Sequence, residues 1–134
     1  MDMALSENHE RKLSFSKEER LKSKKDIEEL FRKGSSFFVH PLLIKYLPAR
    51  PTEPTHRIII TVPKKHIKSA VRRNLIKRRI REAYRKNKFL IAPLATSHLA
   101  FLYLSPEILD YQTIENKLIK SLNRLSNSQT NNIH

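Results

Sequence analysis

The chain has 134 residues, of which 27 are Lys or Arg and 13 are Asp or Glu, so its formal net charge is +14, and 39% of its residues are hydrophobic. That length suits one domain with a modest core. Its single glycine excludes glycine-rich phosphate loops, and the lack of cysteine excludes disulfides, thiol nucleophiles and cysteine-ligated zinc. The histidines show no metal-ligand spacing, so we predict no metal site, no catalytic side chain and a polyanionic partner.

The cellular setting is predicted from what the chain lacks. No stretch approaches the roughly 18 apolar residues of a membrane span. The first residues carry acidic side chains and no long apolar run, unlike a signal peptide. The absence of cysteine fits a reducing compartment. We therefore expect a soluble cytoplasmic protein without a membrane partner.

The positive charge is concentrated in one segment. Residues 64–88 hold 12 basic residues and one acidic residue, whereas the remaining 109 residues carry a net charge of only +3. Clustered like charges repel one another unless an anion neutralises them, and a nucleic acid is the usual neutraliser. A solvated charged face and a basic helix lying on anionic lipid are the alternatives.

The N-terminal half is predicted to contain one helix and two strands. Residues 1–12 form a flexible arm. The Ser23 to Asp26 pattern caps a short helix that has one apolar face and ends at Gly34. Residues 36–47 form one strand, which Pro41 restricts to an edge, and three prolines then mark a loop. Residues 56–62 form a second strand, whose three consecutive isoleucines indicate burial on both faces.

The C-terminal half is predicted to contain a basic helix at about 69–86, a buried strand at 98–104 and an amphipathic helix at about 111–125. The polar residues 127–134 form a disordered tail. The order α-β-β-α-β-α predicts an α+β fold, a small α-β sandwich with a sheet covered by helices. Residues 13–126 form a single RNA-binding domain in this interpretation.

A helical wheel separates the basic helix into an apolar and a charged face. At about 100° per residue, the residues Ile76, Ile80, Ala83 and Tyr84 share the face that can pack on a sheet. A neighbouring stripe holds Asn74, Lys77, Arg78, Arg81 and Arg85, with Arg73 at its border and Arg72 near the back. Arginine favours bidentate contacts with phosphate. Asn74 is either a polar residue of the first turn or a contact to RNA or to a metal-bound water.

These residues carry a motif. The pattern R-N-x-x-K-R-x-x-R-x-x-x-R is met by Arg73, Asn74, Lys77, Arg78, Arg81 and Arg85, and a preceding V-x-K-K is met by Val62, Lys64 and Lys65. A late Y-x-x-I-x-x-x-L-x-x-x-L begins at Tyr111. Over roughly residues 20–125, the chain resembles the bacterial ribonuclease P protein component.

The resemblance implies a fold and an activity. The family has a ribosomal-protein-like α-β sandwich with a left-handed β-α-β crossover, an exception to the usual handedness. Its activity is that of a protein subunit of ribonuclease P, an endoribonuclease. The catalytic RNA subunit removes the 5′ leader of precursor tRNA with Mg²⁺, which the RNA mainly holds, and no protein side chain is catalytic. The protein binds this RNA through Lys64, Lys65 and the basic helix, Arg72 included, and is expected to be monomeric.

The resemblance also implies a cleft between the first helix and the sheet that holds the leader. The positions that match it are Ile27, Phe31, Leu43 and Lys45. Here Ile27 and Lys45 stand where family members often have aromatic residues, which predicts weaker stacking of leader bases. Leu75 stands where many members have an arginine, so one RNA contact is expected to be missing.

Three other functions are compatible with parts of the sequence. A ribosomal-RNA-binding protein without an enzymatic role would use the same helix and is the main alternative. A zipper-type DNA-binding helix needs heptads after its basic region, whereas residues 89–105 read as an apolar segment and a strand. A protein enzyme acting on phosphates is disfavoured by the lone glycine and by the lack of spaced metal ligands.

Overall fold

The structure, a computed structural model, describes residues 15–131. The expected arm at residues 1–12 lies outside this part of the chain. The described elements, in chain order, are α1 Lys24–Lys33, β1 Ser35–Val39, β2 Leu42–Pro48, β3 Arg57–Thr61, α2 Ala70–Asn87, β4 Ser97–Tyr103 and α3 Tyr111–Asn131. Short 3-10 turns lie at Lys17–Glu19 and Lys88–Ile91.

The four strands form one mixed sheet in the order β1-β2-β4-β3. β2 is antiparallel to both of its neighbours, whereas β3 and β4 are parallel, with Ile58 opposite Leu99. Parallel neighbours need a crossover connection, and α2 supplies it between β3 and β4. The predicted α+β class and the β-α-β unit are therefore confirmed.

The two faces of the sheet pack against different helices. Alternate residues of β2, β3 and β4 join α2 and α3 in the main core, and Ile44, Ile58 and Phe101 are almost fully buried there. The intervening residues, such as Ala100 and Ile59, join a smaller cluster with α1. Helices thus cover both faces of the sheet. The predicted burial of the three isoleucines holds for Ile58, whereas Ile59 and Ile60 are half-buried because β3 is an edge strand.

One predicted strand is in fact a hairpin. The sequence predicts a single strand over residues 36–47, but β1 and β2 are two antiparallel strands joined at His40 and Pro41, with Val39 paired to Leu42. Proline has no N–H to donate to a ladder, so Pro41 lies in the turn and not in a strand. The order is therefore α-β-β-β-α-β-α.

The C-terminal helix is longer than predicted. Its apolar face matches the prediction, because Ile114, Leu118, Leu122 and Leu125 are all buried. The helix continues to Asn131, into the predicted tail at 127–134, and residues 132–134 lie outside the described part. Adding residues to an existing helix avoids the cost of nucleation, which explains the extension.

Candidate nucleic-acid interface

The basic helix α2 is held by its apolar face. Its side chains Ile76, Ile80, Ala83 and Tyr84 are at most 1% exposed and lie in the main core. The hydroxyl of Ser69 accepts a hydrogen bond from the N–H of Arg72 at 3.3 Å and caps the helix. The wheel prediction of the buried face is confirmed, and the charged side chains are presented on a fixed support.

The remaining motif residues of α2 lie on or near its surface. Arg72, Asn74 and Arg78 are exposed, and Lys77 and Arg81 are half-buried beside the core. Leu75, which replaces a basic residue of the family pattern, is 36% exposed. The helix therefore presents a charged surface in which one position is apolar.

The turn before α2 adds two further lysines. Val62 and Ile67 anchor this turn in the core, and Lys64 and Lys65 between them are exposed. The guanidinium of Arg73 donates hydrogen bonds to the carbonyl oxygens of Ile67 at 3.0 Å and Lys68 at 2.7 Å. Arg73, a predicted RNA contact, fixes this turn in the structure, and its contact with RNA stays a prediction. We call Lys64, Lys65, Arg72, Asn74, Lys77, Arg78 and Arg81 the basic surface.

Arg85, at the far end of the stripe, is paired within the helix. Its Nε donates to the Glu82 carboxylate at 3.0 Å, and a second guanidinium nitrogen contacts the other carboxylate oxygen. This hydrogen bond lowers the pKa of Glu82 below its ordinary value, so Glu82 stays ionised. The positive charge of Arg85 is consequently offset by a carboxylate.

A pocket lies where α2 meets the edge strand β3. It has a volume of about 240 Å³. Arg20, Lys22, Lys77 and Arg81 line it together with Phe15 and apolar residues of β3, and none of its lining residues is acidic. The Nε of Arg81 is buried and has no hydrogen-bond partner among residues 15–131. We call this the basic pocket.

An unpaired buried guanidinium nitrogen is costly, because the group loses its hydration without gaining an acceptor. The basic pocket also gathers four positively charged side chains, and a bound anion would offset these charges. Neither Arg20 nor Lys22 belongs to the motif. Sequence analysis missed both, since only the folded chain brings them next to α2.

The predicted leader cleft lies on the other face of the sheet, beside α1. The ammonium of Lys45 is 5.6 Å from the centroid of the Phe31 ring, which is 36% exposed. Leu43 lies two residues before Lys45 on the same face and is paired with Phe38, which is 49% exposed. Phe31, Leu43 and Lys45 thus share an open surface that also includes Phe38. Ile27 packs instead into the small cluster under α1.

Comparison with known proteins gives the family. The family model described as Ribonuclease P matches residues 15–126. The chain belongs to the ribonuclease P protein family. It is 36% identical over 117 residues to the ribonuclease P protein component of Porphyromonas gingivalis, covering 83% of this chain and 85% of that protein. It is 35% identical over 119 residues to that of Petrotoga mobilis, covering 84% and 95%.

Solved structures of RNase P proteins are also similar to this chain. The RNase P protein of Thermotoga maritima matches with a TM-score of 0.67 and 27% identity, covering 79% of this chain and 96% of that one. The RNase P protein of Staphylococcus aureus matches with a TM-score of 0.65 and 25% identity, covering 81% and 94%.

The chain is therefore a subunit of ribonuclease P, an endoribonuclease that acts in the 5′ processing of tRNA, and its partner is an RNA subunit. The alternative of a ribosomal RNA-binding protein is not favoured. Within residues 15–131, no helix combines the length and the apolar character that crossing a membrane requires.

Proposed function

We propose that the basic surface and the basic pocket bind the RNA subunit through its phosphates. The observation that carries this proposal is a pocket lined by four basic side chains and no acidic one. A phosphate oxygen is an acceptor of the required charge, and arginine binds phosphate in a directional, charge-assisted manner. Arg78 and Lys65, both exposed, extend this contact along the RNA backbone.

The cleft beside α1 binds the 5′ leader of precursor tRNA. Phe31 and Phe38 offer exposed rings on which bases can stack. The ammonium of Lys45, 5.6 Å from the centroid of the Phe31 ring, can pair with a phosphate of the same leader. Leu43 supplies apolar surface between them. The leader site lies beside α1 near β1 and β2, whereas the basic pocket lies at the β3 edge of the sheet. One protein can therefore contact two RNA molecules at once.

The protein acts electrostatically in this proposal, and the RNA subunit performs the chemistry. Neutralising phosphates reduces the repulsion between two polyanions. It also favours the binding of Mg²⁺, which the RNA mainly holds. Residues 13–126 act as one RNA-binding domain, and the protein is a cytoplasmic monomer that joins the RNA subunit. No protein group serves as nucleophile or general base.

Cleavage of precursor tRNA by the reconstituted enzyme at low Mg²⁺ tests the RNA surface. Arg78→Ala and Arg81→Ala should each slow cleavage and weaken binding of the RNA subunit. Lys120→Ala removes an exposed charge from α3 and serves as the matched control. Circular dichroism verifies that each variant is folded. Wild-type cleavage and RNA affinity in both arginine variants would contradict the proposal.

A comparison of substrates tests the cleft. Phe31→Ala should weaken binding of precursor tRNA by about 1–3 kcal/mol, the contribution of one stacked base, and leave binding of leaderless tRNA unchanged. Phe89, which is 62% exposed and lies outside the cleft, provides the control Phe89→Ala. Equal loss of affinity for both substrates would show that Phe31 does not contact the leader.

A further inference from the structure

Three potential metal ligands converge at the end of the sheet where β4 begins. Asp26 lies in the first turn of α1, Glu53 in the loop between β2 and β3, and His98 near the start of β4. One ligand atom from each lies within 4.8 Å of the other two. Their side chains are 11%, 8% and 7% exposed. We call this the Asp26–Glu53–His98 cluster.

The existing partners compensate these carboxylates incompletely. His98 Nε2 lies 2.8 Å from a Glu53 oxygen, which is a hydrogen bond. The guanidinium groups of Arg50 and Arg57 lie 3.8 Å from Asp26 and 3.7 Å from Glu53, beyond hydrogen-bond distance. Two largely buried carboxylates thus lie beside the His98 imidazole.

The donor set is that of a transition-metal site. One imidazole nitrogen and two carboxylate oxygens suit Zn²⁺, whereas Mg²⁺ prefers oxygen ligands alone. Ligand atoms around a tetrahedral Zn²⁺ stand about 3.3 Å apart at metal distances of about 2.0–2.1 Å. To hold an ion, the hydrogen-bonded His98–Glu53 pair would open from 2.8 Å, and Asp26, whose ligand atom lies within 4.8 Å of the other two, would move closer. A fourth position is left for water.

We propose that Asp26, Glu53 and His98 form a binding site for a divalent transition-metal ion, with Zn²⁺ as its representative. The ion would join α1 to the β2–β3 loop and to β4, three segments that are distant in sequence. Because α1 carries Phe31, the ion would fix one wall of the open surface beside the sheet. This site is independent of the basic surface.

Arg50 competes with the metal ion. Its side chain is 69% exposed, so it can leave Asp26 for solvent when the ion binds. Arg50→Gln removes the competing charge, and it should therefore tighten Zn²⁺ binding. A purely structural role of the cluster gives no reason for such an increase.

Calorimetric titration of the full chain with Zn²⁺ near neutral pH, without RNA, tests the site. The wild type should bind one equivalent saturably. Asp26→Asn and His98→Gln should each weaken binding by more than about 100-fold, beyond the roughly 10–100-fold typical of losing an outer-shell partner. His66→Gln, which changes a histidine of the turn before α2, should bind as the wild type does.

Two results would overturn the proposal. One is the absence of saturable binding to the wild type. The other is unchanged Zn²⁺ affinity in both Asp26→Asn and His98→Gln, which would place the ion elsewhere. Circular dichroism of the metal-free variants separates a loss of ligation from a loss of folding, and Asp26→Asn keeps the size of the side chain. Because RNA is absent from the titration, failure here leaves the RNA-binding proposal standing.

Discussion

Arg73 shows how a residue of an RNA-binding motif can serve the fold. Its guanidinium holds the carbonyl oxygens of Ile67 and Lys68, the two residues just before the helix cap at Ser69. These carbonyls are satisfied by a side chain one turn into α2. The exposed Lys64 and Lys65 lie in the turn that this contact helps to fix. Arg73 thus acts on the basic surface indirectly, by positioning.

Replacing Arg73 by lysine tests this role. Arg73→Lys keeps the positive charge but loses the geometry that reaches two carbonyls, so the free energy of unfolding should fall by about 1–2 kcal/mol. Urea unfolding measures it. Arg72→Lys, at an exposed neighbouring position, should change stability by less than about 0.5 kcal/mol. Equal stability of both variants would show that the two hydrogen bonds contribute nothing.

His56 connects three segments from a buried position. Its Nδ1 accepts a hydrogen bond from the N–H of Ser97 at 3.0 Å, so Nε2 carries the proton and donates to the Ile91 carbonyl at 2.7 Å. Burial lowers the pKa of His56 below 6.5. The imidazole is therefore held neutral in the folded protein.

This lowered pKa predicts a pH dependence of stability. Between the folded pKa and the unfolded value of about 6.5, the unfolded chain binds more protons than the folded one. The free energy of unfolding should therefore decrease as the pH falls below about 6.5. Urea unfolding at several pH values in this range measures the change. The free energy of unfolding should depend less steeply on pH in His56→Gln than in His66→Gln. The same slope in both would exclude His56 as the cause.

Single residues were predicted from the sequence where periodicity decides burial, as for Ile76 and Ile80. The hydrogen bonds from Arg73 to the carbonyl oxygens of Ile67 and Lys68 could not be predicted. A helical wheel gives the direction of a side chain but not the path of the preceding turn. The pairing of Arg85 with Glu82 at i, i+3 is visible in the sequence. The RNA contact of Arg85 stays a prediction.

At the scale of elements, Gly34 sets the junction between α1 and β1. The N–H of Gly34 donates to the Leu30 carbonyl at 2.8 Å and ends the helix. Its φ of −68° is accessible to any residue, so a left-handed cap does not explain the glycine. A Cβ here would clash with the Leu30 carbonyl oxygen and lie 3.1 Å from that of Tyr46. Glycine is therefore required here because the carbonyl oxygens of Leu30 and Tyr46 leave no room for a Cβ atom.

Gly34→Ala should therefore destabilise the protein although alanine is the better helix former. We expect a loss of about 1–3 kcal/mol, typical of overpacking, with the backbone between α1 and β1 displaced. Urea unfolding measures this loss. Ser35→Ala, at the next, exposed position, is the matched control. A stabilised Gly34→Ala would mean that the reduced entropy of the unfolded chain dominates.

Elements with strong periodicity were predicted well and those with local breaks were not. Helix α2 was expected at about 69–86 and is found at Ala70–Asn87. The β1–β2 hairpin was missed, because residues on both sides of Pro41 favour strands and only the pairing of Val39 with Leu42 reveals the reversal. Sequence patterns report local preference, whereas hairpin pairing is a contact between two segments.

At the scale of the whole molecule, the fold separates two surfaces of different chemistry. Charge is concentrated around α2 and the edge of β3, where the basic pocket lies, and exposed aromatic rings lie beside α1. The motif predicted the first surface in part. The contributions of Arg20 and Lys22, and the convergence of Asp26, Glu53 and His98, depend on residues far apart in the chain, so no spacing rule could predict them.

The central claim is that the basic surface binds the RNA subunit through phosphates, and the salt dependence of affinity tests it most directly. Removing one side chain that binds a phosphate should reduce the slope of log affinity against log salt by about 1. We therefore predict a slope lower by about 2 for the double variant Lys65→Ala and Arg78→Ala, with weaker binding, and a wild-type slope for Lys120→Ala. A double variant with the wild-type slope and affinity would contradict the account.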